Sequence, residues 1–234
     1  MEQEQIFAHT LFQLGPVVIR DTVVTTWVVV LGLWLACAVL ARQLRSSPGL
    51  VQTAVEGLVL GAEDAIRQVL PQHVSLVLPF ILTLWTFLLV ANLVGLIPGL
   101  HSPTRDPSAT AALAILVFLS VHWFGIRAQG IKDYLRHYLS PSPILLPFHI
   151  ISEITRTLAL AVRLFGNMMS LELVALLLVW VGGLLVPIPI LMLHIVEALV
   201  QAYIFGMLAL AYIASAIQTG ALAEGPAPAT EPEQ

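Results

Sequence analysis

The chain has 234 residues, of which 58% are hydrophobic and only 10% charged, with a formal net charge of -4, and its mean hydropathy is +0.92. Soluble domains carry about 25% charged residues, so this composition excludes an ordinary soluble enzyme and implies a chain that crosses a membrane several times. The single cysteine, Cys37, falls inside the first apolar run and has no partner for an intrachain disulfide.

The N-terminal MEQEQIFAHTLFQLGP is acidic and lacks the basic start of a signal peptide, so the run after it is read as a retained span. Residues 22–41 are uncharged and long enough to cross a core of roughly 30 Å as a helix. In residues 50–70, Gln52, Glu56, Glu63 and Arg67 stack on one helical face, a pattern that suits a helix lying in the membrane interface. An amphipathic helix packed on a soluble partner would show the same stripe. Residues 75–97 form the second crossing, with Pro79 near its start and Asn92 as its one strongly polar side chain, suited to bonding between helices. A turn-rich loop over 98–108, PGLHSPTRDPS, leads to the third crossing at 109–127.

Basic residues set the orientation. Arg42, Arg45 and Arg67 follow the first crossing and Arg127, Lys132 and Arg136 follow the third, whereas the opposite side holds only Arg20 and Arg105. The N-terminus is therefore expected outside and the C-terminus inside, where residues 218–234 form a polar, Pro-rich tail.

The last two segments, 147–186 and 189–217, are longer than a perpendicular crossing needs, so both should tilt or the first should bend near Gly166. Together they hold nearly all the deeply placed ionisable groups. Arg163 sits in the apolar run of the first, where an arginine costs roughly 2.5 to 3.5 kcal/mol. At 100° per residue, Asn167 and Ser170 share its face within about 60°, while Glu172 lies about 180° away. On the returning segment His194, Glu197 and Gln201 share one face. With the turn near Pro187, this face comes level with Glu172. A carboxylate and an imidazole exchange protons near neutral pH. Arginine stays cationic, so it repels protons and draws a proton off an approaching carboxylic acid. These groups suit a proton-exchange station with a barrier against leakage. No internal repeat and no metal, phosphate-loop, hydrolase or nucleic-acid motif is visible, and no cofactor is expected.

The string RLFGNMMSLEL, from Arg163 to Leu173, closely resembles the signature of subunit a of bacterial F-type ATP synthases. FILTLWTFLLVANLVGLIPG, PTRDPSATAALAI, ISEITRTLALAVRLFGN and HIVEALVQAYIF agree in order, so the resemblance covers most of the chain from about residue 78 to 217. It implies an all-α integral membrane protein with five transmembrane helices plus one interfacial amphipathic helix, its last two crossings forming a tilted hairpin against a c-ring. Arg163 would face the c-ring carboxylate and separate two half-channels. Glu172, His194, Gln201 and Asn167 would line the ion path, with Gln201 as partner of Arg163, and Glu153 and Arg156 would stand near the cytoplasmic exit. Thr157 replaces the usual proline, and Glu197 is an additional acid. The implied partners are the c-subunit ring, the b-subunit stalk, the other synthase subunits and lipid of a bacterial inner membrane. The same role with sodium as the coupling ion stays open. A secondary transporter with Arg163 as an anion site is a weaker rival, because it calls for inverted repeats, as is a structural assembly factor, which leaves the buried charges without a use.

Overall fold

The computed structural model describes residues 10–14, 17–42, 49–97, 102–132, 134, 146–182 and 188–221. Among them, five helices are long and apolar enough to cross a membrane. A two-stranded hairpin, β1 (Thr10–Leu14) and β2 (Val17–Arg20), precedes the first of these. Its strands pair antiparallel with Phe12 opposite Ile19 and Leu14 opposite Val17. The sequence reading places no strand here, since segments this short carry no readable period, although Val17, Val18 and Ile19 are β-branched.

Helix α1 (Asp21–Arg42) runs at the edge of the bundle, with Thr22, Thr25 and Val29 buried and Trp27 and Trp34 exposed. Amphipathic α2 (Leu50–Val69) bonds Gln52 to Glu56 at 2.8 Å and pairs Glu63 with Arg67 along its polar face. Its Ala62 and Ile66 are buried. Helix α3 (Val74–Val94) buries Val77, Ile81, Leu84 and Leu88 at helical spacing and stops at Gly95, short of the expected Ile97. A buried 3-10 turn (Pro103–Arg105) follows.

Asp106 starts α4 (Pro107–Gln129) as its N-cap, accepting from the Ser108 amide at 2.9 Å, with Pro107 in the first turn. The same carboxylate accepts from the Thr22 hydroxyl at 3.0 Å, which ties α1 to the cap. Gly130 ends the helix at φ 88, a conformation that favours glycine.

Helices α5 (Leu146–Gly182) and α6 (Ile188–Ala221) contain 37 and 34 residues. At 1.5 Å per residue they reach about 55 and 51 Å, well beyond a membrane core of about 30 Å. Helix α5 is continuous through Gly166. The expected turn at Pro187, most of the tail, and the basic residues Arg45 and Arg136 lie outside the described residues.

The core lies between α3, α4 and α6, where Leu88, Val121 and Phe124 meet Phe205, Leu210 and Ile213. Buried alanines at 198, 202, 209 and 214 keep the contact face of α6 shallow, which lets neighbouring backbones approach closely. Gln129 bonds the Ala216 and Ile217 carbonyls at 2.7 Å each, and Gln218 bonds the Val69 carbonyl at 3.0 Å, so polar ties fix both partners to the far end of α6. Trp85 stacks on Tyr203 and donates to its carbonyl at 3.3 Å, passing directly over Gly206.

Two stability predictions follow from these contacts. A Cβ at Gly206 would stand 1.8 Å from the Trp85 indole nitrogen, and overpacking of this kind costs about 1–3 kcal/mol. Gly206→Ala is therefore expected to lower the thermal unfolding temperature of the solubilised complex, and adding Trp85→Ala to recover part of the loss. Asp106→Ala removes the α4 cap, worth about 1 kcal/mol, and should lower that temperature more than Thr22→Val, which removes one hydrogen bond.

Candidate functional site

Helix α5 carries three charged stations. Arg163 stands about 15 Å along the axis from Glu153 and about 14 Å from Glu172, by the helical rise. Its inward face is apolar, with Leu160, Leu164, Met168 and Leu171 buried. Arg163 lies on the flank of this face and is exposed, as are Leu158 and Val162. Among the described residues no side chain bonds to it. The cation thus sits on an outward apolar face, midway between two polar clusters.

The first cluster gathers around Glu172. Its carboxylate pairs closely with Arg105, which the 3-10 turn carries in from between α3 and α4. The turn is fixed by side chains: Ser102 Oγ donates to the Ala91 carbonyl at 3.0 Å and Thr104 Oγ1 donates to Asn92 Oδ1 at 2.8 Å. Asn92 is fully buried. Its backbone carbonyl lies 3.3 Å from His194 Nε2. A carbonyl only accepts, so Nε2 carries a proton there and Nδ1 is left as the basic nitrogen. Glu197 lies one turn further along α6, half-buried and without a hydrogen-bond partner among the described residues.

Between the clusters, Asn167 Nδ2 donates to Gln201 Oε1 at 2.6 Å and so bridges α5 and α6. The resemblance implied Gln201 as partner of Arg163. In this structure the Gln201 side-chain oxygen accepts from Asn167; Gln201 is 2% exposed and Arg163 is exposed.

The second cluster lies toward the other end of α5. Glu153 Oε2 stands 3.7 Å from His122 Nε2 on α4. His122 Nδ1 lies 2.9 Å from the Phe118 carbonyl, so that nitrogen is the donor, and Nε2 is the site where a second proton would create an ion pair with Glu153. Arg156 lies over the Tyr212 ring at 5.5 Å. A cavity of about 260 Å³ opens among these helices, lined by His149, Glu153, Arg156, Tyr134 and Tyr212 among others.

The structure therefore brings Glu172 together with Arg105, His194 with Asn92, Asn167 with Gln201, and Glu153 with His122, while Arg163 and Glu197 stand apart. The sequence reading uses Arg105 only as a loop charge for topology and singles out neither His122 nor His149. A signal was present for His122, the one ionisable side chain well inside the third apolar run. Nothing in the sequence pointed from Arg105 to Glu172, which lie 67 positions apart. The hairpin thus carries two polar clusters along its length, with a fixed cation between them on an exposed face.

Comparison with known proteins gives this arrangement its context. Residues 23–214 match the family model described as ATP synthase A chain. "ATP synthase subunit a 2" of Pelobacter propionicus is 64% identical over 215 residues, covering 90% of this chain and 92% of the relative. "ATP synthase subunit a" of Legionella pneumophila (strain Philadelphia 1) is 56% identical over 219 residues, covering 93% and 95%. "ATP synthase subunit a 1" of Hahella chejuensis is 60% identical over 205 residues, covering 88% and 87%. With a family model spanning most of its length and relatives this similar end to end, the chain belongs to the ATP synthase A chain family, the multi-pass, non-catalytic membrane subunits of the ATP synthase complex.

Proposed function

We propose that the two clusters are offset half-channels and that Arg163 is the barrier between them, facing a carboxyl carried past it by the c-ring. The observation that carries this reading is the placement of Arg163: outward, unbonded among the described residues, and midway between Glu172 and Glu153 on one continuous helix. An exposed arginine on an apolar face needs a foreign partner, and a mid-membrane carboxyl on a neighbouring helix supplies one.

Ions enter from the outside along Glu172, His194 and Glu197 and load the ring carboxyl, which becomes neutral and can turn through lipid. On returning to Arg163 the acid is discharged by the fixed cation, and the ion leaves through the cavity beside Glu153, His122 and Arg156. Asn167 and Gln201 hold the hairpin in register along the way. The imidazoles of His194 and His122, each with one nitrogen left basic, support protons as the coupling ion. One charge crossing 100 mV supplies about 2.3 kcal/mol, so several crossings couple mechanically to each ATP formed in the soluble head.

The same reading puts the N-terminus outside and the C-terminus in the cytoplasm of a bacterial inner membrane, with α2 in the interface and the b-subunit stalk against the rest of the stator.

Arg163→Ala is expected to abolish ATP-driven ion pumping while the subunit still inserts and assembles, measured by pumping in inverted vesicles and subunit content of the purified complex. Normal pumping would eliminate the reading. On the exit side, Glu153→Gln and His122→Gln should each slow pumping, and the double variant should be no slower than the worse single one, because both disable one station.

A further inference from the structure

We propose that Tyr134 is a positioning residue for the exit half of the ion path, its ring holding the His122 imidazole so that Nε2 faces Glu153. This rests on the reading of Glu153 and His122 as the exit station and adds the side chain that orients one of them. Tyr134 is 5% exposed and lines the same cavity as Glu153. Its ring centroid stands 6.1 Å from that of His122 at an interplanar angle of 69°, an edge-to-face aromatic pair. On its other side the imidazole meets the Phe118 ring at 4.5 Å, tilted by 49°.

Two glycines bring the tyrosine ring there. Gly130 ends α4 at φ 88, and four residues later the Tyr134 amide donates to the Gly130 carbonyl at 3.1 Å, so the chain turns back against the helix it has just left. Gly125 then receives the ring. A Cβ at this position would stand 2.5 and 3.1 Å from the Tyr134 ring carbons Cε2 and Cδ2, so the ring occupies the notch that the missing side chain leaves. Phe118, His122 and Gly125 follow at spacings of four and three along one face of α4. The imidazole therefore has one aromatic ring a turn before it and another a turn after it.

This clamp matters because the hydrogen bond of His122 does not fix its ring. Nδ1 lies 2.9 Å from the Phe118 carbonyl, and an imidazole held at one nitrogen can still pivot about that bond. Packing on both sides removes the pivot and leaves Nε2 at 3.7 Å from Glu153 Oε2. That separation is just beyond a direct hydrogen bond, so a small rotation decides whether the two groups come into reach for proton transfer. The role assigned to Tyr134 is orientation by its ring.

The test reads the intact complex in two ways. ATP-driven pumping in inverted vesicles should fall several-fold in Tyr134→Ala and in Gly125→Ala, which keeps the tyrosine but fills its seat. Tyr134→Phe, which keeps the ring, should recover close to the native rate. Combined with His122→Gln, Tyr134→Ala should slow pumping no further, whereas a general loss of stability would add to it. The second reading is carbethoxylation of His122 by diethyl pyrocarbonate, followed on its peptide by mass spectrometry. The imidazole loses a packing neighbour in both alanine variants and should react several-fold faster there, but not in Tyr134→Phe. Unchanged carbethoxylation in the alanine variants, or additive slowing with His122→Gln, overturns the proposal. Pumping by Tyr134→Phe well below the native rate overturns it as well, an arm that stands whether or not the alanine variants assemble. Normal pumping by His122→Gln would instead remove the exit-station reading, while faster carbethoxylation left the clamp standing, so the two failures are distinguishable.

Discussion

A guanidinium that cannot lose its charge, set on the outward apolar face of a membrane helix, is the constraint from which the rest of the molecule follows. The position costs several kcal/mol unless an anion answers it. No anion of this chain does so among the described residues: Glu172 is on the other side of the helix and already engaged by Arg105, and Glu153 faces His122. Under the proposed reading the stabilising partner comes from outside the chain. Because it must come and go, the surface around Arg163 is a smooth run of Leu158, Ala159 and Val162 rather than a closed pocket.

Such a face requires rigid support behind it. The inward sides of α5 and α6 supply this with small and apolar residues packed on α3 and α4, and with the single amide bridge between Asn167 and Gln201. Under the proposed reading, helices of about 55 and 51 Å in a core of about 30 Å lie inclined, which sets the two polar clusters apart laterally as well as in depth. Offset half-channels need that separation. A perpendicular pair would stack both clusters along one line and leave only the arginine between them.

Much of this was legible in the amino-acid order, and the reasons are physical. Apolar length reveals a membrane helix with little ambiguity, so five crossings and the amphipathic α2 were readable from hydropathy and charge spacing. The opposed faces of Arg163 and Glu172 followed from helical geometry alone. The contacts that organise the site were less accessible, because they join segments distant in sequence. Arg105 to Glu172 and Asp106 to Thr22 depend on how the loop after α3 folds inward, and His194 to the Asn92 backbone on how the last helix packs against α3; no local pattern encodes either. The β1–β2 hairpin escaped for the opposite reason, being too short for any period. The pairing of Gln201 with Asn167 likewise joins positions far apart in sequence.

The most direct measurement is a structure of the assembled membrane sector resolving the side chains of α5. The account predicts the Arg163 guanidinium facing a rotor helix within a few ångströms of its mid-membrane carboxyl, with water-accessible density reaching Glu172 from one side and Glu153 from the other. An arginine turned toward lipid or bulk water with no foreign helix beside it, or one continuous aqueous path joining both acids, would contradict it.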